Sequence, residues 1–378
     1  MARTGKTLIA SRTTRLERDA LQIYKGKRVF VTGHTGFKGS WLCAWLNSLG
    51  AEVTGYALPP DTKPNLFDAL NLEKDIHHIV GDVRDLVALY RALKDSKAEI
   101  VFHMAAQPLV RLSYKDPKTT FDTNVGGTVN MFEALRNYGK VRAFVNVTSD
   151  KCYDNKEWLW GYRESDPMGG RDPYSASKGC AELVFAAYQQ SFFPVDKVKE
   201  HGLGLASARA GNVIGGGDWA EDRIVPDCIR ALNDGKRPGV RNPAAIRPWQ
   251  HVLEPLSGYL KLGAALWNDP VQFTGAWNFG PRPENCRSVR DIADAVIKSW
   301  GEGSWQDLSS KQSDAVHEAK FLRLCCDKAM TLLKWNSIWD FDTTVRNTTE
   351  WYKEFHADDS AAARLCKAQL QAYSASIS

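Results

Sequence analysis

From Lys27 onward, short runs of continuously apolar residues alternate with amphipathic stretches of helical period, and few folds admit that rhythm. "KRVFVTG" precedes the helical "GSWLCAWLNSLG", and "EVTGYAL" precedes a proline-rich loop and the helical "DLVALYRALKDS". "EIVFHMAA" precedes "NVGGTVNMFEALRNYG", and "VRAFVNVTS" precedes "DPYSASKGCAELVFAAYQQSF", with "LGLASARAGNVIG" as a further strand. A strand without polar alternation is covered on both faces, so the pattern predicts βαβ units and a doubly wound α/β domain with a parallel sheet over residues 25–212. At 378 residues the chain exceeds what one core usually holds, and beyond Gly215 the rhythm breaks into segments with Gly, Pro and Trp. Residues 213–378 are expected to form a smaller, mixed α/β C-terminal lobe with C-terminal helices. A later crossover is expected near 246–280, and residues 1–24 as an N-terminal tail.

Charge and cysteine usage exclude several function classes. The 49 basic and 44 acidic residues are interspersed, for a net charge of +5, and no basic run is long enough to track a phosphate backbone, which argues against nucleic acid as a partner. No apolar stretch in the first residues suits a signal peptide or a membrane span; "MARTGKTLIASRTTR" carries four basic residues and no acid, as a loosely docked tail would. Eight cysteines without a CxxC pair fit reduced thiols and a cytoplasmic protein, and no metal is expected.

The first strand-to-helix turn, "VFVTGHTGFKGSW", spaces Gly33, Gly36 and Gly39 three apart, with Thr35 and Phe37 among them. Glycines there permit a tight turn and close backbone approach, so that a pyrophosphate can rest on free amides at the mouth of the helix. Two further strand ends agree: in "GDVRD" Asp82 and Val83 can meet an adenine edge, and in "HMAAQP" Ala105 and Ala106 let a cofactor lie close. All lie at carboxyl ends of strands, where open α/β sheets bind ligands, and together they predict a Rossmann-like dinucleotide site. The second strand ends in "YALPPD", with Asp61 several residues late and no arginine for a 2′-phosphate, so NAD is the expected cofactor.

A second constellation carries reactive groups. Tyr174 and Lys178 in "DPYSASKGC" are four apart at a helix start and share a face. An ammonium beside a phenol favours the phenolate, and is expected to draw the tyrosine below its usual value of about 10. Such a tyrosine can take a hydroxyl proton while hydride leaves the same carbon. "TSDKCY" sets Ser149, Asp150 and Lys151 at the end of a buried strand. Adjacent strand residues point to opposite faces, so the acid and the lysine reach one ligand only if the chain turns there. Otherwise they simply neutralise one another.

These residues resemble the extended short-chain dehydrogenase/reductase family. The blocks "TGHTGFKGSW", "AAQPLVRLSY", "TSDKCYDNKEW", "MGGRDPYSASKGCAEL", "RAGNVIGGGDW" and "IRPWQHVLEPLSGYL" are similar to the CDP-glucose 4,6-dehydratases within it. The resemblance implies an NAD-dependent lyase whose partner is a small-molecule nucleotide sugar: oxidation at C4, loss of water across C5 and C6, and hydride return to C6. It implies that Tyr174, assisted by Ser149 and Lys178, removes the C4 hydroxyl proton. Asp150 is then the acid for the departing C6 hydroxyl, and Lys151 the base at C5, which requires an uncharged amine. On the substrate side it implies Gln107, Arg111, Asn212, His251 and Arg247, the last as a bidentate phosphate clamp. Trp249 either stacks on a base or fills the core. A homodimer through the Tyr174 helix is implied as well. A 4-epimerase, a dehydratase of a GDP- or dTDP-linked sugar and a non-catalytic nucleotide-sugar-binding protein share the scaffold; epimerisation would need neither Asp150 nor Lys151.

Overall fold

The apolar runs hide both faces in one seven-stranded sheet. A computed structural model describes residues 21–311 and 321–377. Most of the expected tail, residues 1–20, lies outside the described residues, whereas Leu21 and Tyr24 already belong to the core, the Tyr24 hydroxyl donating to the Leu260 carbonyl at 2.7 Å. The strands are β1 (Arg28–Thr32), β2 (Glu52–Ala57), β3 (His77–Val80), β4 (Ile100–His103), β5 (Ala143–Val147), β6 (Gly204–Ala210) and β7 (Gly275–Phe279). All pair in parallel, in the order β7-β6-β5-β4-β1-β2-β3, as the doubly wound reading requires. The order reverses between β1 and β4, where Thr32 pairs with His103. A sheet of this kind opens a crevice at that switch point.

The longer helices are α1 (Phe37–Ser48), α2 (Leu86–Asp95), α3 (Gly127–Tyr138) and α4 (Pro173–Ser191), then α5 (Ile224–Asn233) and α6 (Leu253–Asn268) before β7, and α7 (Val289–Trp300), α8 (Phe341–Ala357) and α9 (Ala362–Ser376) after it. Strand alternation sorts the core: Val29 and Val31 of β1 pack with residues of α1 and α6, and Phe30 with residues of α2, α3 and α4. Helix α4 starts where its sequence directs, Asp172 accepting the Ser175 amide at 2.9 Å and Pro173 filling the first position. The run "LGLASARAGNVIG" divides, since β6 stops at Ala210 and Val213–Ile214 pairs instead with Gln250–His251.

Beneath the ends of β5 and β6 lies a buried ion pair. Glu182 of α4 and Arg209 of β6 meet at 2.7 Å, with side chains 2 % and 4 % exposed. Glu182 also accepts the Ser207 hydroxyl at 2.8 Å and the Thr148 hydroxyl. Arg209 donates to the Tyr153 hydroxyl at 2.7 Å and the Glu164 carbonyl at 3.0 Å, and Tyr153 passes its own proton to Asn278 at 2.8 Å. Burial pushes the Glu182 carboxyl up, but Arg209 outweighs it and holds the group below its usual range.

Removing one partner strands the other charge out of water. Glu182→Leu or Arg209→Met alone should cost about 3–5 kcal/mol in chemical denaturation, and the double variant should recover most of that loss. Acid should weaken the fold as well: burial holds His34, His103 and His251 each at about 3. Their unfolded value is about 6.5, so this contribution is complete above that pH and is lost as pH falls, because the unfolded chain takes up protons first. The urea midpoint should drop between about pH 6.5 and 4, and His251→Gln should flatten part of the drop.

Candidate active site

The ends of β1, β4, β5 and β6 open onto a cleft of about 700 Å³, lined on its far side by residues 211–227 and 239–249. Gly33 turns the chain off β1 with φ +75°, and its amide donates to the Tyr56 carbonyl at 3.0 Å. A Cβ on Gly33 would fall 2.8 Å from the Ala105 nitrogen, and one on Gly39 2.1 Å from the Gly33 carbonyl oxygen. Gly36 stands at the N-cap of α1 without a capping side chain, so the first amides of the helix are left for a ligand. The Thr35 hydroxyl ties this turn to the Leu58 carbonyl at 2.9 Å. Asp82 is gripped by Arg84 at 2.5 Å and held below its usual range, while Val83 packs on Gly127, where a Cβ would meet it at 2.7 Å. Gly33, Thr35, Gly36, Phe37, Gly39, Asp82, Val83, Ala105 and Ala106 all line the cleft, and the cradle left by the missing Cβ atoms fits a dinucleotide.

The question posed by "TSDKCY" has a local answer. Ser149 caps a short 3-10 turn, Asp150–Cys152, its oxygen accepting the Lys151 amide at 3.2 Å and its hydroxyl donating to Asp150 Oδ1 at 3.1 Å. The chain therefore turns directly after β5, and Asp150 and Lys151 both line the cleft with Tyr174 and Lys178. Lys151 Nζ lies 5.9 Å from the centroid of the Tyr174 ring. Asp150 is 3 % exposed, and its Oδ2 has no hydrogen-bond partner among the described residues. Burial pushes its carboxyl above the usual value against the opposing pull of Lys151 and the Ser149 hydroxyl. A carboxyl raised in this way can hold a proton to donate.

Tyr174 departs from expectation. Burial pushes its hydroxyl up to about 12, against the Ser149 hydroxyl, and the nearby Asp150 adds to the rise. Lys178 is itself lowered to about 8 by burial, opposed by Glu182 one turn along α4, so loss of water outweighs the expected help of the ammonium to the phenol.

On the substrate side, Arg111, Asn212, Arg247 and Trp249 line the cleft, the Trp249 indole N–H donating to the Arg287 carbonyl at 3.0 Å. His251 and Gln107 do not. The Trp249 amide donates to the Arg247 carbonyl at 3.1 Å, a turn at Pro248 that breaks strand alternation and sends His251 between Trp41 and Trp339. The Gln107 amide folds back onto Thr120 at 2.8 Å and onto the Leu109 amide at 2.6 Å. Cations that sequence reasoning passed over also line the cleft, Lys38 and Arg223 among them. Lys38, whose neighbours in "GFKGS" drew attention to the glycines alone, donates to the Tyr259 hydroxyl at 3.0 Å, and burial beside Lys178 and Arg223 pushes it down to about 7. Arg223 pairs with Asp218 at 2.7 Å.

Comparison with known proteins agrees with this geometry. The family model described as GDP-mannose 4,6 dehydratase matches residues 30–276. The CDP-glucose 4,6-dehydratase of Salmonella typhimurium is 52 % identical over 330 residues, 87 % of this chain and 91 % of that protein. A dTDP-glucose 4,6-dehydratase of Streptomyces antibioticus is 27 % identical over 87 % of this chain and 93 % of its own length. Among solved structures, a double mutant of a dTDP-glucose 4,6-dehydratase from Streptomyces venezuelae with NAD bound superposes with a TM-score of 0.73 at 22 % identity, over 87 % of this chain and 98 % of the other. A UDP-glucose 4-epimerase from Thermotoga maritima gives 0.72 at 19 % identity, over 87 % and 99 %, so the fold alone does not separate the two chemistries. The match across the sheet and most of the cleft, with a relative more than half identical, places the chain in the nucleotide-sugar 4,6-dehydratase family.

Proposed function

We propose that the protein is an NAD-dependent CDP-glucose 4,6-dehydratase that releases CDP-4-keto-6-deoxyglucose. The observation that carries this reading is the turn after β5, which brings Asp150 and Lys151 to the same cleft as Ser149, Tyr174 and Lys178. An epimerase needs the last three; elimination of water needs an added acid and base. The glycine turn, Asp82, Val83, Ala105, Ala106 and Lys178 would hold NAD, which supplies a hydride acceptor that is regenerated within each turnover.

In this reading the ionised form of Tyr174, hydrogen-bonded by Ser149 and scarce because burial holds the phenol at about 12, accepts the C4 hydroxyl proton as the alcohol becomes a ketone. The ketone acidifies C5, where Lys151 takes the proton. Asp150, whose burial favours the protonated form, gives its proton to the C6 hydroxyl, which departs as water. As the hydride taken from C4 comes back to C6, Lys151 returns a proton to C5, and the proton held by Tyr174 replaces the one that Asp150 lost. Arg111, Asn212 and Arg247 engage the sugar and diphosphate, guanidinium matching phosphate oxygens. The proposal includes a homodimer through α4, supported by Leu183, which stands 60 % exposed on that helix. Among the described residues no helix is long and apolar enough to cross a membrane, and the cytoplasm is the proposed compartment.

Incubation with NAD and CDP-glucose in deuterated water should give a product lighter by one water and deuterated at C5, read by mass spectrometry. Turnover of GDP-mannose with none of CDP-glucose would overturn the substrate, and an epimer formed without loss of water would overturn the lyase. Lys151→Met should retain reduction of the bound cofactor while product formation falls about 10²–10⁴-fold, whereas Tyr174→Phe should suppress both steps by a similar factor.

A further inference from the structure

Asp222 stands just ahead of α5 with φ +62°, a left-handed backbone that aspartate tolerates better than most residues. That conformation places its carboxylate at the cleft between two guanidinium groups. Oδ1 lies 2.6 Å from Arg241 Nη1 and 3.6 Å from Arg111 Nε. Arg111 belongs to the segment Val110–Lys115 that follows β4, and Arg241 follows Gly239–Val240 on the far wall, so one oxygen links both sides. All three residues line the cleft, with side chains 46 %, 40 % and 33 % exposed for Arg111, Asp222 and Arg241. Among the described residues neither guanidinium is within ion-pairing distance of another carboxylate, whereas Arg223 beside them is engaged by Asp218.

We propose that Asp222 is a latch whose carboxylate occupies, in the ligand-free protein, the place taken by a phosphate oxygen of the bound diphosphate. An oxygen shared between two guanidinium groups is the arrangement a phosphate also makes. The latch is weak because its ion pairs are exposed and screened, so a doubly charged diphosphate displaces a single carboxylate. A neutral sugar brings no charge to replace it and leaves Asp222 bound to both guanidinium groups. The carboxylate acts through Arg111 and Arg241, which makes Asp222 a positioning residue rather than a catalytic one. The inference rests on the nucleotide-sugar reading for its natural ligand, but inorganic pyrophosphate tests it without any sugar.

The test compares Asp222→Asn and Asp222→Gly, both of which accept the left-handed backbone, with Asp222→Glu, which keeps the charge. Titration calorimetry should show pyrophosphate binding about three- to tenfold more tightly to the Asn and Gly variants, the scale of one or two exposed charge pairs. KM for CDP-glucose should fall by a similar factor while kcat changes less, and the Glu variant should stay near the unmodified protein in both readings. Unchanged or weakened pyrophosphate binding in the Asn and Gly variants, or no binding to any form, overturns the latch. Failure of the unmodified protein to turn over any nucleotide sugar overturns the proposed function instead, and leaves the pyrophosphate comparison to decide the latch.

Discussion

The Glu182 carboxylate and the Arg209 guanidinium, 2.7 Å apart and out of water, each need further polar partners, because the desolvation of two charges is repaid only when their other bonding positions are filled. The partners they gather are not incidental to the cleft. Thr148 is the residue before Ser149, Tyr153 follows the turn that carries Asp150 and Lys151, and Glu182 itself lies one helical turn beyond Lys178. A single polar knot thus sets the height at which β5 ends, the direction in which the chain turns, and the face that α4 shows to it. The catalytic groups need no long-range adjustment among themselves, since Ser149, Asp150 and Lys151 lie between Thr148 and Tyr153 in the chain, and Lys178 and Tyr174 stand about one and two helical turns from Glu182.

Above the knot the cleft gathers positive charge in a poorly hydrated place. Lys38 and Lys178 are drawn down to about 7 and about 8 by burial, while Tyr174 is pushed the other way, to about 12. These shifts have one cause, the loss of water around charged forms, and they favour neutral groups on every side. Such a site is arranged for moving protons between near-neutral partners rather than for holding fixed ions. The permanent charge is left to arginines, which do not titrate and which suit phosphate.

Much of this was legible in the chain. Continuous apolar runs marked the strands of the sheet, the glycine turn marked the dinucleotide site, and "DPYSASKGC" marked the start of the helix that bears Tyr174 and Lys178. What escaped depended on local departures from regular geometry. His251 follows Arg247 and Trp249 at strand spacing, and only the turn at Pro248 sends it into the core. Lys38 sits in a motif whose glycines explain it fully, so its side chain gave no separate signal. Asp222 is an ordinary acid until its backbone is seen to be left-handed. The depression of Tyr174 failed for a different reason: charge proximity can be read from spacing, but the depth at which water is lost cannot.

Strand β7 lies beside β6, although α5, α6 and the loops of the far cleft wall intervene between them in the chain. The wall that carries Asp222, Arg241 and Arg247 is therefore anchored at both ends in the same sheet, as an inserted span rather than an appended unit. The span leaves the sheet at Ala210 and returns to it through α6 at Gly275, so any displacement of the wall is shared by two crossings rather than carried by a free end, and the sheet fixes where the wall begins.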